Sequence, residues 1–104
     1  MGQTMSWSES SAIRDAAQLV DDAVTAFRTR GYTRETALHQ AALALGISPR
    51  RAKGLVYGEV FAMALDEYRQ IKARFLRHLD DEAESLAARS EAARARRKQM
   101  ELEL

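Results

Sequence analysis

The sequence predicts an all-α fold in which three short helices precede one long C-terminal helix. Only one proline and five glycines interrupt the 104 residues. Apolar side chains recur at steps of three and four residues, which is the repeat of an amphipathic helix. No proline or glycine follows Gly58. A chain of this length forms one small domain with a modest core, extended here by one long appendage.

The composition is typical of a helical protein in the cytoplasm. Charged residues make up 30% and hydrophobic residues 46% of the chain, and the net charge is +1. The absence of cysteine excludes disulfides and thiolate metal sites and suits a reducing compartment. The amino terminus has no basic region followed by an apolar run, and no segment approaches the roughly 18 apolar residues of a membrane span. We therefore expect a cytoplasmic location and no membrane contact.

Residues 1–9 are mostly small and polar, and we expect a flexible tail that becomes ordered near Trp7. An arm that reached into the minor groove of DNA would carry arginines, and this segment has none. Ser10 or Ser11 can cap a helix that runs to about Arg30 and ends at Gly31. The apolar face of this helix consists of Ile13, Ala16, Ala17, Val20, Ala23, Val24 and Phe27.

The segment 38–56 predicts two short helices joined by a tight turn. Thr33 can cap a helix from Arg34 to Leu45. Gly46 can adopt the left-handed conformation that ends a helix. Ser48 can then cap the next helix, with Pro49 at its first position, where a missing N–H is tolerated.

This order of residues resembles the helix-turn-helix motif of DNA-binding proteins. The residues that carry the resemblance are Ala42 where the helices cross, Leu45 and Ile47 around the turn glycine Gly46, and the inward-facing Ala52 and Leu55. The resemblance implies that residues 10–58 form a three-helix DNA-binding domain whose last helix enters the major groove. An all-helical domain without any DNA function can also contain a glycine turn followed by a capped helix.

The basic residues of the segment favour DNA binding. Between Arg28 and Tyr57 the only acid is Glu35, whereas basic residues are frequent. His39 can contact a phosphate or cover the core, and the sequence favours neither. The predicted DNA-binding residues are Ser48, Pro49, Arg50, Arg51, Lys53, Gly54, Tyr57, Arg34 and His39.

Residues 59–104 predict a long C-terminal helix that is frayed at its end and forms a coiled-coil dimer. A helix from Glu59 to about Arg97 would be on the order of 60 Å long, and we expect Phe75 and Leu79 to lie beyond the reach of a three-helix core. The alternative is a helix that frays or folds back near Asp80 and Asp81. The predicted dimerisation residues are Phe61, Leu65, Tyr68, Ile71, Phe75, Leu79 and Leu86.

Two blocks of opposite charge lie in this C-terminal segment. The acidic block consists of Asp80, Asp81, Glu82 and Glu84, and the basic block of Arg89, Arg94, Arg96, Arg97 and Lys98. The simplest interpretation is a solvated helix with ion pairs within or between subunits. The basic block can also contact nucleic acid or the acidic block of a partner chain.

The sequence contains no recognisable catalytic or cofactor motif. It has no glycine-rich phosphate loop and no nucleophile placed with a histidine and a carboxylate. His78 and Glu82 are spaced to share a metal ion, but two ligands make a weak site. We therefore expect no enzymatic activity, no cofactor, no metal and no small-molecule substrate.

The function that these observations predict is that of a small dimeric transcriptional regulator, a repressor, that binds double-stranded DNA. A two-fold homodimer should read an inverted repeat with half-sites one helical turn, about 34 Å, apart or a multiple of it. Two alternatives remain open. Small terminase subunits of phages also resemble a helix-turn-helix followed by oligomerising helices, and they mark viral DNA for packaging. A helical adaptor would use the long helix to bind a protein partner and would not bind DNA.

Overall fold

The computed structural model describes residues 7–103. Within that range the chain forms four helices and no strand: α1 (Glu9–Thr29), α2 (Arg34–Leu45), α3 (Pro49–Val56) and α4 (Leu65–Glu103). The prediction of an all-α fold with a long C-terminal helix is confirmed. Most of the predicted N-terminal tail, residues 1–6, lies outside the described residues, as does residue 104.

Helix α1 begins earlier than the sequence suggested. Its cap is Ser8, whose side-chain oxygen accepts the N–H of Ser11 at 3.4 Å, so Ser10 and Ser11 lie inside the helix. Glu9 occupies the first turn, where a carboxylate interacts favourably with the partial positive charge of the helix end. The buried face consists of Ala12, Ala16, Val20, Ala23, Val24 and Phe27.

The centre of the core is built largely from alanine. Six alanines have no exposed surface: Ala16, Ala23, Ala37, Ala41, Ala42 and Ala52. Such small side chains allow the axes of α1, α2 and α3 to approach closely, because the distance between packed helices depends on the side chains at the contact. Leu45, Leu55 and Val20 fill the remaining space between these helices.

The sequence predicted that α4 begins near Glu59, but the helix begins at Leu65. Gly58 ends α3 in the left-handed conformation with φ 70°, and the next residues form an irregular connection back toward α1. Met63 is buried in the core, and its N–H donates to Glu9 Oε2 at 2.9 Å. These tertiary contacts hold the connection in a non-helical path although it contains no proline.

The first half of α4 completes the core of the domain. Ile71 is fully buried, and Phe75 and His78 are at least nine-tenths buried, all against α1 and α2. Polar contacts secure the same face, since the hydroxyl of Tyr68 donates to Asp15 of α1. Arg30 Nη1 donates to Glu82 Oε1 at 2.8 Å, further along the helix.

The second half of α4 extends away from the core. Every residue from Leu86 to Glu103 is exposed. The whole helix has 39 residues, which corresponds to about 58 Å at 1.5 Å per residue. The molecule is accordingly elongated, with a longest dimension of 68 Å. The molecule therefore consists of a core of four helices from which the second half of α4 extends without contacts that bury it.

Candidate nucleic-acid interface

The turn between α2 and α3 has the geometry that its residues predicted. Gly46 has φ 71° and ψ 28°, a conformation that costs a residue with a Cβ about 1–2 kcal/mol. The N–H of Ile47 donates to the Ala42 carbonyl at 3.0 Å and that of Gly46 to Leu43 at 3.2 Å. This pair of bonds is a Schellman motif, and Ile47 packs against the core beside it.

Helix α3 starts with a complete cap. The side-chain oxygen of Ser48 accepts the N–H of Arg51 at 3.0 Å, and Pro49 occupies the first turn. Ala52 and Leu55 lie on the buried side of the helix. The opposite side of α3 is consequently held toward solvent in a fixed orientation.

Three large polar side chains lie on that exposed side of α3. Arg50, Lys53 and Tyr57 are separated by three and four residues and are all exposed, so they project from one face of the helix. Arg50 and Lys53 form no ion pair with any residue between Trp7 and Glu103. Their charges are thus available to a ligand.

The N-terminal part of α2 supplies the other side of this surface. Arg34 and His39 line a groove of about 480 Å³ together with Pro49, Arg50, Lys53 and Tyr57 of the α3 region. The guanidinium of Arg34 lies 5.8 Å from the centre of the Tyr57 ring, within the range of a cation–π contact. Glu35 is the single acid in the lining. Six of the nine predicted DNA-binding residues therefore line one groove. Three of these six, Arg34, Arg50 and Lys53, are cationic.

Arg51, which the sequence also predicted to contact DNA, lies outside this groove. Its Nε and Nη2 donate to the two carboxylate oxygens of Glu67 in α4, both at 2.8 Å. Nη2 also donates to the carbonyl of Ala62 at 2.7 Å. The hydrogen bond to Glu67 raises the pKa of Arg51 above its ordinary value, partly offset by burial. Arg51 fastens α3 to α4, and its charge is already neutralised.

Gly54 was also predicted to contact DNA, and the structure gives it another role. A Cβ on Gly54 would lie 3.2 Å from Cγ2 of Val60, which is a tight contact. The carbonyl of Gly54 accepts the N–H of Glu59 at 2.8 Å. Glycine at this position lets the connection to α4 pass close to α3, which explains a residue that otherwise weakens a helix.

The predicted dimerisation residues fall into two groups, and only one of them is exposed. Ile71 and Phe75 lie in the core of the chain itself, so the expectation that Phe75 is out of reach of the core was wrong. The reason is that α4 packs along α1 and α2 from its first turns, so its inner face forms part of the domain. Leu65 is half-buried, and Tyr68 contacts Trp7 and Asp15.

The other predicted dimerisation residues, Phe61, Leu79 and Leu86, are exposed. Phe61 lies in the irregular connection and not on a helix. Sequence reasoning missed Leu76 and Met100, which are also exposed on α4. Their spacing was the available signal, because both continue the steps of three and four that include Leu79 and Leu86.

His78 and Glu82, the pair spaced to share a metal ion, have different surroundings. His78 is 8% exposed, and its ring lies 5.4 Å from that of Phe27, while Glu82 is paired with Arg30. No group of three or more potential ligands of the His, Cys, Asp or Glu type occurs within residues 7–103. In the same range no helix combines the length and the apolar character that crossing a bilayer requires.

No protein-family model, curated protein or solved structure matches this chain. The surface formed by α2 and α3 is therefore interpreted from its own residues. It combines a rigid turn, an outward-facing helix side and cations that form no ion pair within residues 7–103, with the groove between Arg34 and Arg50 at its centre.

Proposed function

We propose that this protein binds double-stranded DNA through the exposed side of α3 and regulates transcription by occupying its site. The observation that carries the proposal is the groove in which Arg34, Arg50 and Lys53 meet without an ion-pair partner in the described part of the chain, residues 7–103. The capped start of α3 at Ser48 and Pro49 and the Schellman turn before it are consistent with a helix-turn-helix.

The proposed contacts follow from the chemistry of each side chain. Arginine can donate two parallel hydrogen bonds to guanine in the major groove, a contact that contributes roughly 1–3 kcal/mol of discrimination. Arg50, one residue after the proline that starts α3, is in the part of a recognition helix that contacts base edges. Lys53 carries a point charge that suits a phosphate. Arg34, ordered on the ring of Tyr57, suits a phosphate at the edge of the same groove.

The charge distribution supports the same binding mode. The net charge of the chain is only +1, and the acidic block lies on α4, whereas the groove at α2 and α3 has one acid. A local cluster of cations attracts the phosphate backbone over a distance of about one Debye length, roughly 8 Å at physiological salt. A nearly neutral protein can thus present a single face to DNA and keep the remainder of its surface away from it.

The test begins with selection of bound fragments from random DNA, followed by titration of the selected site at several salt concentrations. We expect Arg50→Ala to relax the base preference. We expect Lys53→Ala to weaken binding to all sequences evenly and to reduce the slope of log affinity against log salt by about 1. Arg77→Ala is a matched control, because Arg77 is an exposed arginine of α4 that does not line the groove, and it should leave base preference unchanged.

Two results would contradict the proposal. If Arg50→Ala and Lys53→Ala bound the selected site with wild-type affinity and specificity, α3 would not be the reading helix. If the wild-type chain bound no DNA at low or high salt, the α2–α3 surface would have no nucleic-acid function, and a role as a protein adaptor would be favoured.

A further inference from the structure

A second exposed surface of the molecule lies along α4 and is separate from the groove. Leu76, Leu79, Leu86 and Met100 are 56%, 47%, 58% and 61% exposed, respectively. Together with Ala83, Ser90, Ala93 and Arg97, they follow one another in the sequence at alternating steps of three and four residues. We call this set the heptad stripe: Leu76, Leu79, Ala83, Leu86, Ser90, Ala93, Arg97 and Met100.

The heptad stripe is distinct from the face of α4 that completes the core. The inward face runs through Ile71, Phe75 and His78 and continues to Glu82. Leu76 and Leu79 each follow an inward-facing residue by one position, and Leu86 follows the half-buried Ser85, so the stripe is rotated away from the core toward solvent. Every residue of the stripe is exposed. The eight positions of the stripe have the spacing of a coiled-coil seam, and four of them carry large apolar side chains and two carry alanine.

We propose that a second copy of this chain covers the heptad stripe in an antiparallel arrangement. The orientation follows from the two charge blocks of α4. The acidic block (Asp80, Asp81, Glu82 and Glu84) lies before Leu86, and most of the basic block (Arg94, Arg96, Arg97 and Lys98) lies after Ala93. In an antiparallel pair, Asp80, Asp81 and Glu84 of each copy lie beside the basic block of the other, whereas Glu82 is already paired with Arg30. In a parallel pair, acids would lie beside acids and bases beside bases, which is unfavourable.

One alignment of two copies pairs every position of the stripe with a position of the partner's stripe and brings the acidic residues of each copy near the end of α4 in the other. It places Leu76 opposite Met100 of the partner subunit and Ala83 opposite Ala93 of the partner subunit. In the same alignment Asp80 lies beside Arg94 of the partner subunit. Such a contact is isologous, because each contact between the two copies occurs twice about a two-fold axis near Ala88.

Arg97 is the one charged residue within the stripe, and the same alignment accounts for it. It places the side chain of Arg97 against Leu79 of the partner subunit. The aliphatic part of an arginine can cover an apolar residue while its guanidinium remains in water, here next to the partner's acidic block. Among residues 7–103 of one chain, Arg97 forms an exposed ion pair with Glu101 at 3.2 Å, a kind of contact that contributes little.

The pairing also accounts for the length of α4. The residues from Leu86 to Glu103 are all exposed, whereas most of the stability of helices in proteins comes from the packing of one face against a partner. A partner helix would supply the missing apolar contacts. This inference does not depend on DNA binding, so its test requires no DNA and its failure would leave the proposed function standing.

The first part of the test measures mass by sedimentation at tens of micromolar. We expect a dimer for the wild-type chain and a helical monomer for the double variant Leu79→Glu with Leu86→Glu. Both residues are exposed, so the fold of the chain should survive the substitutions. Leu102→Glu is the matched control, since Leu102 is exposed but lies off the heptad stripe, and it should remain a dimer. A wild-type monomer, or a double variant that stays dimeric, would overturn the proposal.

The second part of the test determines orientation, using the fact that the chain contains no cysteine. Leu76→Cys and a tagged Met100→Cys are unfolded, mixed, refolded and oxidised. A disulfide requires Cα atoms within about 7 Å, whereas two copies of residue 76 would be about 36 Å apart in the antiparallel pair. We expect cross-linked product only between the two variants. Cross-linking of either variant with itself would show a parallel pair and overturn the orientation.

Discussion

Replacing Arg51 tests whether this residue holds the fold together or reads DNA. Its two bonds to Glu67 are 2.8 Å long and bidentate, and a third bond reaches the carbonyl of Ala62. Bonds of this kind contribute about 1.5–3 kcal/mol each when they are desolvated. About a third of each side chain remains exposed. Contact with water weakens the pair toward the roughly 0.2–1 kcal/mol of surface ion pairs. We therefore expect Arg51→Ala to destabilise the fold by about 1–2 kcal/mol.

The assay is unfolding by heat and by urea, followed by circular dichroism at a fixed protein concentration. In a domain of about 100 residues each kcal/mol shifts Tm by about 4–8 °C, so Arg51→Ala should melt roughly 5–15 °C below the wild-type protein. A double-mutant cycle with Glu67→Ala isolates the coupling between the two side chains. Arg50→Ala is the matched control, because Arg50 is exposed and unpaired within residues 7–103, and its stability should stay within about 0.5 kcal/mol of wild type.

The two neighbouring arginines should therefore give opposite results. At a temperature at which both variants are folded, Arg51→Ala should retain more of the base preference than Arg50→Ala. The reasoning would be refuted if Arg51→Ala melted at the wild-type temperature, the cycle showed no coupling, and base preference was lost. In that case the bonds to Glu67 would contribute nothing in solution and Arg51 would be a reading residue.

Two further predictions concern the attachment of α4. Phe75→Ala should lower the free energy of unfolding in urea by about 3–5 kcal/mol, because Phe75 is only 9% exposed and its removal leaves a cavity. The control Leu86→Ala, measured at a protein concentration at which the chain is monomeric, should change it by no more than about 0.5 kcal/mol. Equal losses in the two variants would place Phe75 outside the core. The hydrogen bond from Tyr68 to Asp15 raises the pKa of Tyr68, so the folded state holds this proton more tightly than the unfolded state. The resulting stability is fully present below the ordinary tyrosine pKa of about 10 and is lost as the pH rises through the raised pKa. Wild-type protein should lose more stability than Tyr68→Phe between pH 9 and pH 11, and identical losses in urea unfolding would show that the bond is absent in solution.

The helices and the turn between them could be predicted because their signals are local. Helix α2 runs from Arg34 to Leu45 as predicted, since the capping side chain of Thr33 and the left-handed Gly46 each act within a few residues. Ser48 and Pro49 define the start of α3 in the same way. Arg34, Arg50 and Lys53 were grouped by the basic composition of the segment, and the structure places all three in one groove.

Only the tertiary structure determined which side chains of those helices are occupied by internal contacts. Arg51 and Glu67 are 16 residues apart, and no local pattern distinguishes Arg51 from Arg50. Likewise, α4 begins at Leu65 because Met63 and Glu9, 54 residues apart, are joined by a hydrogen bond. Periodicity identified α4 as a helix with apolar residues. Which of these residues are buried depends on where α1 and α2 pack against α4. This packing buries Phe75 in the core and leaves Leu79 and Leu86 exposed. Local capping and spacing define helices within a chain, whereas the partner of a charge and the burial of a face depend on contacts between residues that are distant in sequence.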